Sequence, residues 1–251
     1  KVQTVSLMKD IDLTGTGILG IGKDSVEKET AAQKFTGTFN GNGHTVTLDI
    51  GTAYGQGISG TENAAGQLYA KRKDQRDAHY SLALLPFAGN VIIQNVTIGG
   101  KIGCKVPQKV NEEDNAGDIR YPAFVSAAVG FAGGTTTFEA VTVNVAVSVT
   151  EEAADARKLH VWQGGFLGRC EGTELNFKNC TWGSEASLTD ERSSDNQRLG
   201  GLAAEVMGGC TIMVEDCTLS GSITSKAASN ARVGGLIAVS RGETQSDIGN
   251  S

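Results

Sequence analysis

A short run of β-forming residues recurs four times in this chain, and internal repetition at a period of a few tens of residues constrains the fold more than any local pattern. The copies are VIIQNVTIGGKI (91–102), TFEAVTVNVAVS (137–148), LNFKNCTWGSEAS (175–187) and IMVEDCTLSGSI (212–223). Aligned on their centres, Val96, Val141, Cys180 and Cys217 fall at intervals of 45, 39 and 37, each followed by a threonine: Thr97, Thr142, Thr181 or Thr218. A second, small-residue apolar segment precedes each copy: LALLPFAG (82–89), FVSAAVGFAGG (124–134), GGFLGRCEG (164–172) and GGLAAEVMGG (200–209). A fifth begins at GGLIAVSRG (234–242) and is cut short.

Each unit therefore reads as a small-residue strand, a glycine-bearing turn, a β-branched strand with alternating apolar positions and a polar stretch of variable length. Leu175, Phe177 and Cys180 alternate with Asn176, Lys178 and Thr181, which predicts strands with one buried face and a bend near Asn179, where the phase slips. One unit of this size cannot bury its own apolar face, whereas stacked units share a continuous core. No crossover helix is evident within a unit. The fold expected is all-β, a right-handed parallel β-helix solenoid with long loop insertions, because strands of fixed length leave the variable intervals to the loops. Over residues 1–251 we expect a single β-helix domain. Residues 1–50 form opening coils, 51–81 an insertion and 82–251 about four repeats, the whole being a monomeric fragment of a larger protein.

Composition agrees with a folded chain. Glycine, 34 of 251 residues, is roughly twice average usage while proline is only 3, so glycine must make most of the turns. A net charge of −6 argues against a general affinity for nucleic acid, which needs a concentrated basic footprint. No apolar run approaches a membrane span. Five cysteines, Cys104, Cys170, Cys180, Cys210 and Cys217, are an odd number without a CxxC pair and allow two bridges at most. Cys180 and Cys217 share a repeat position and are expected as buried ladder residues, continued by Val141 and Val96.

The first third carries VSLMKDIDLTG (5–15), GIGKD (20–24) and FTGTFNGNGHTVTLDI (35–50). Asn40-Gly41-Asn42-Gly43 supplies consecutive residues that tolerate positive φ, a tight-turn signal, with His44, Val46 and Leu48 on one face of the strand that follows. The combination of a DIDL strand with FTGTFNGNGHTV resembles the opening coils of bacterial cell-surface β-helix proteins, and GGFLGRCEG and GGLAAEVMGG resemble degenerate GLUG motifs of the same adhesin-like proteins. The resemblance implies an extracellular protein, at the bacterial cell surface or secreted, that displays or binds.

Chemistry is sparse. Asp10 and Asp12 alternate around Ile11, but the resemblance gives them a structural role in a strand-to-turn segment. Glu112, Glu113 and Asp114 lack the DxDxDG spacing of a calcium loop. His44, His79 and His160 are too scattered for zinc. Asn95-Val96-Thr97 and Asn179-Cys180-Thr181 match the glycosylation pattern, yet Asn95, Asn179 and Asp216 recur at one repeat position, as stacked corner residues would. We expect no catalytic residues, no metal and no cofactor.

The informative irregularity is the stretch from Thr52 to Ser81, about thirty mostly polar residues of a length that loops usually reserve for function. Residues 64–77 could form a short helix. Its aromatic and basic residues, Tyr54, Tyr69, Lys71, Arg72, Lys73 and Arg76, are of types enriched at binding hot spots and form the expected ligand-binding set. Loops at 104–123, 151–163 and 188–199 are expected on the same side of later coils. The expected function is a non-catalytic extracellular binding or adhesion module that recognises a host protein or glycan through these insertions, without nucleic acid or membrane insertion. The alternative is a carbohydrate-active enzyme of β-helix fold, a polysaccharide lyase or glycosidase. Far-UV circular dichroism should show a strand-dominated spectrum, and a helix content above about a quarter would contradict the repeat reading.

Overall fold

The computed structural model describes residues 3–16, 34–51, 80–106, 123–151, 161–193, 197–227, 230–241 and 245–248. Among them the regular secondary structure is all strand. A 17-stranded sheet carries most of the chain, and a 5-stranded sheet is built from Tyr80–Leu82, Ala123–Ser126, Val161–Gly164, Gln197–Gly200 and Arg232–Gly234. The pairings are parallel and join residues one repeat apart. Ile93 lies against Phe138, Phe138 against Phe177 and Phe177 against Val214.

The opening segment belongs to the same stack. Gln3–Ser6 pairs with Phe35–Asn40, which pairs with Leu85–Val106, while Ile11–Asp12 pairs with Thr45–Ile50. Thr45 thus heads the threonine row that continues through Thr97, Thr142, Thr181 and Thr218. The Asn-Gly turn forms as expected: Asn42 and Gly43 take φ of 51° and 81°, and Asn40 Oδ1 accepts from the Asn42 amide at 3.0 Å. Asp10 Oδ1 accepts from the Thr45 amide at 2.9 Å and lies 3.2 Å from His44 Nδ1, so this aspartate ties two strands together. Asp12 accepts from the Thr14 amide at 2.9 Å.

Alternation within the strands produces the core. Leu175 and Phe177 are buried while Glu174 and Lys178 are exposed. The side chains of Phe39, Ile93, Phe138, Phe177 and Val214 form one interior row, in which the Phe138 and Phe177 rings stack at 5.0 Å and 9°. A row of this kind buries whole aromatic faces, each on the order of 2 kcal/mol or more.

Two corners bend each unit. The first is the phase slip expected at Asn179. Asn95, Ala140, Asn179 and Asp216 occupy equivalent positions in successive repeats and all take φ near 50°. Asn and Asp tolerate this left-handed conformation better than other non-glycine residues, because their short polar side chains bond locally. This gives the recurring asparagine a backbone reason independent of glycosylation.

The second corner departs from expectation. Each small-residue segment is divided between two strands, as at Gly165-Phe166 between Val161–Gly164 and Leu167–Cys170, although in the first unit the second strand runs on as Leu85–Val106. The approach is very close: a Cβ on Gly164 would stand 1.8 Å from the Leu167 carbonyl oxygen. Where Ser126 replaces this glycine, its hydroxyl donates to the Val129 carbonyl at 2.5 Å and turns the close approach into a hydrogen bond.

The cysteine row is as aligned, with one difference. Cys180 is buried, but Cys217 is half-buried and its thiol donates to the Glu215 carbonyl at 3.2 Å. The Cys180 sulfur lies 3.4 Å from the Phe138 and Lys178 carbonyl oxygens, and this neighbouring thiol holds Cys217 down at about 7, while Cys217 and burial push Cys180 well above the ordinary range. A second pair, Cys170 and Cys210, brings two buried sulfurs to 3.8 Å.

Ala140 breaks the otherwise Asn/Asp corner row, and a shallow open depression lined by Asn42, Gly43, Asn95, Val96, Thr97 and Ala140 lies beside it. Ala140→Asn should stabilise the protein by about 1 kcal/mol, read as a raised urea midpoint, because the left-handed backbone then carries a residue suited to it.

Candidate functional site: an aromatic and arginine crease

The second corner folds the outer faces of its two short strands toward each other. One row, in the 5-stranded sheet, runs Ser81, Phe124, Trp162, Arg198, Arg232. The facing row, in the large sheet, runs Phe87, Phe131, Arg169, Glu205, Val239. Between them the floor must be small: a Cβ on Gly168 would meet the Phe124 Cβ at 2.8 Å and the Gly130 carbonyl oxygen at 2.6 Å. The resulting crease holds a second apolar cluster of Phe87, Phe124, Phe131, Trp162 and Ala204, separate from the main core.

Along the crease, aromatic residues give way to charge. Phe124 stacks on Trp162 at 5.1 Å and 26°, and the Arg198 guanidinium lies 4.6 Å from the Trp162 ring centre, a cation–π distance. Arg169 lies 5.7 Å from the same ring. Three guanidinium groups then converge on the buried carboxylate of Glu205, which is 1% exposed: Arg198 Nη1 at 2.7 Å, Arg241 Nε at 2.5 Å and Arg169 Nε at 3.7 Å. Arg169 also pairs with Glu171.

Arg198 is only 4% exposed, and its Nε and Nη1 make no hydrogen bond. Nη1 sits close to Glu205 without the alignment of a hydrogen bond, so charge rather than a directed N–H holds that contact. Burial lowers the Arg198 guanidinium to about 10; Glu205 opposes this, and Arg241, Arg232 and Arg169 reinforce it. It stays cationic at neutral pH.

A second buried polar group lies at the far end of the unit. Asp190 and Arg192 are both 0% exposed, joined by Arg192 Nη2 to Asp190 Oδ2 at 2.7 Å and Nε to Oδ1 at 2.9 Å. Gln163 Nε2 donates to Asp190 at 3.1 Å, and Gln197 Nε2 donates to the Arg192 carbonyl at 2.7 Å. This bidentate pair pins the chain where it leaves the large sheet.

That departure point repeats. Ile50, Ile102, Val147, Leu188 and Ile223 form one row near the end of the large sheet, and Tyr80, Ala123, Val161 and Gln197 form one row where the 5-stranded sheet begins. The strand ends that flank these connections thus share one edge, and the intervals, residues 51–79, 107–122, 152–160, 191–196 and 226–231, shorten along the chain until the last two, which are equal in length. Three expected loops are narrower than their sequence limits. Cys104, Leu188 and Leu199 are buried strand residues, and Val161–Gly164 takes in the end of the 151–163 loop, because these apolar side chains complete core rows.

Tyr54, Tyr69, Lys71, Arg72, Lys73 and Arg76 lie outside the described residues, as do the expected helix at 64–77, the acidic Glu112–Glu113–Asp114 group, His79 and His160. Among the described residues no group of three or more His, Cys, Asp or Glu is gathered to hold a metal. The crease residues were missed by sequence reasoning. Their signal was available in the alignment, where Trp162, Arg198 and Arg232, and Arg169 and Glu205, place large or charged side chains at equivalent positions of a small-residue strand. Compared with protein-family models, curated proteins and solved structures, the chain matches none.

Glu205→Ala should destabilise the protein by about 3–5 kcal/mol in urea unfolding, because three guanidinium groups lose their common carboxylate. Glu171→Ala, on the half-exposed side of Arg169, should cost less than about 1 kcal/mol.

Proposed function

We propose that the chain is a right-handed parallel β-helix, akin to the GLUG-bearing adhesin-like solenoids its opening motif resembles, and that it serves as a non-catalytic binding or adhesion module. On this reading it works outside the cell, at a bacterial surface or secreted, and recognises a host protein or glycan. One observation carries the proposal: the strands that precede the insertions end near one aligned row and those that follow begin at another, so both ends of each insertion meet the stack at the same edge. Strands of a stack are committed to packing, whereas insertions vary without disturbing it, and loops on a rigid scaffold are where recognition concentrates.

The longest insertion supplies the contact residues proposed from sequence, Tyr54, Tyr69, Lys71, Arg72, Lys73 and Arg76. Aromatic anchors beside arginine suit a protein or glycan surface. The test is binding of the chain to a panel of host proteins and glycans, run beside a reducing-end assay on polysaccharides. Tyr69→Ala with Arg72→Ala should weaken any partner found by about 2 kcal/mol and leave the thermal midpoint nearly unchanged. Undiminished binding after deletion of residues 55–79 would remove the insertion from the site, and release of reducing ends would replace the binding reading with an enzymatic one.

A further inference from the structure

Two features of the crease point to a ligand. First, Arg198 is a buried cation, 4% exposed, whose Nη1 is ion-paired with Glu205 at 2.7 Å and whose Nε makes no hydrogen bond, although buried guanidinium groups normally fill their donors. Second, the residues beside it are cationic and open. Arg232 continues its row on the surface, and Arg241, half exposed, reaches the same Glu205 from the facing strand. The cluster is thus a closed base with an exposed basic mouth.

The chemistry of a ligand suited to this mouth follows from the groups present. The guanidinium groups already converge on one carboxylate, and their planar forks match a second of the same kind. A sugar ring would want an aromatic platform. Trp162 offers none, because Phe124 covers it from the preceding repeat and Arg198 from the following one. An acidic side chain reaches such a mouth without stacking.

We infer that the arginine end of the crease binds a carboxylate of an acidic peptide segment, with Arg232 and Arg241 at the entrance and Arg198 at its base. This deepens the binding-module reading and rests on it, since it names the kind of partner. The residues concerned lie beside the edge where the insertions re-enter, so a peptide held there would run past them.

The experiment is fluorescence anisotropy of labelled oligoglutamate titrated with the whole chain, with oligoglutamine and polygalacturonate as comparison probes. Oligoglutamate should bind and oligoglutamine should not, and raising the salt should weaken the interaction. Arg232→Ala should lower oligoglutamate affinity at an unchanged unfolding midpoint, and adding Arg241→Ala, which also removes an ion pair to the buried Glu205 and so lowers the midpoint, should bring the loss to the order of tenfold. Arg241→Lys should retain more affinity than Arg241→Ala. Failure of oligoglutamate to bind, equal binding by the double variant, or tighter binding of polygalacturonate would each overturn the inference, the last in favour of an acidic glycan. A partner lost on deletion of 55–79 while oligoglutamate fails to bind would leave the module reading intact and remove only the crease.

Discussion

Main-chain pairing between residues one repeat apart is the interaction on which everything else here depends. A unit of two short strands and a bent longer one has an apolar face too large to leave in water and no partner within itself. Parallel pairing with the next unit satisfies the backbone and, in the same step, sets like positions one above another: Phe138 on Phe177, Thr142 on Thr181, Cys180 beneath Cys217. Because side chains alternate with period two, a slip of one residue would exchange the core face for the solvent face, so the hydrophobic pattern itself locks the register.

Once register is locked, the corners decide where function can sit. The left-handed corner at Asn95, Ala140, Asn179 and Asp216 turns the strand while keeping both halves in the large sheet. The small-residue corner does the opposite: it passes the chain between sheets and folds two outer faces together. At Gly164, Gly200 and Gly234 an added Cβ would meet the opposing carbonyl oxygen, and Ser126 bonds that carbonyl instead. The outer residues on either side are thereby buried against one another, and a row that begins with phenylalanine and tryptophan ends in arginine. The protein thus holds Arg198 in a poorly solvated position, balanced by Glu205 and by the indole of Trp162.

The polar groups in the stack have different work. Asp190 and Arg192 satisfy each other with two hydrogen bonds and have further partners in Gln163 and Gln197, so this pair specifies geometry at the point where the chain exits. In the crease, by contrast, Glu205 is approached by three guanidinium groups, one of which, Arg169, also pairs with Glu171.

The repeat, its strands, the buried alternation, the Asn-Gly turn and the bend at Asn179 were all legible in the sequence, because each follows from local rules: period-two hydrophobicity, tolerance of positive φ and self-similarity. The threonine and cysteine rows could be aligned by hand for the same reason. The same alignment sets Trp162, Arg198 and Arg232 in one row and Arg169 and Glu205 in another, but not the two rows against each other, since they meet only when the small-residue segment breaks in two, and that break depends on backbone contact between strands rather than on propensity. The half-buried state of Cys217 and the burial of Cys104, Leu188 and Leu199 were likewise decided by which rows close over them. Sequence by itself determined that this chain stacks repeated strands, for its units carry period-two apolar faces at a regular repeat and cannot bury them alone. Tertiary structure alone decided which outer side chains face each other, because that depends on the angle at a corner whose only sequence trace is a pair of small residues.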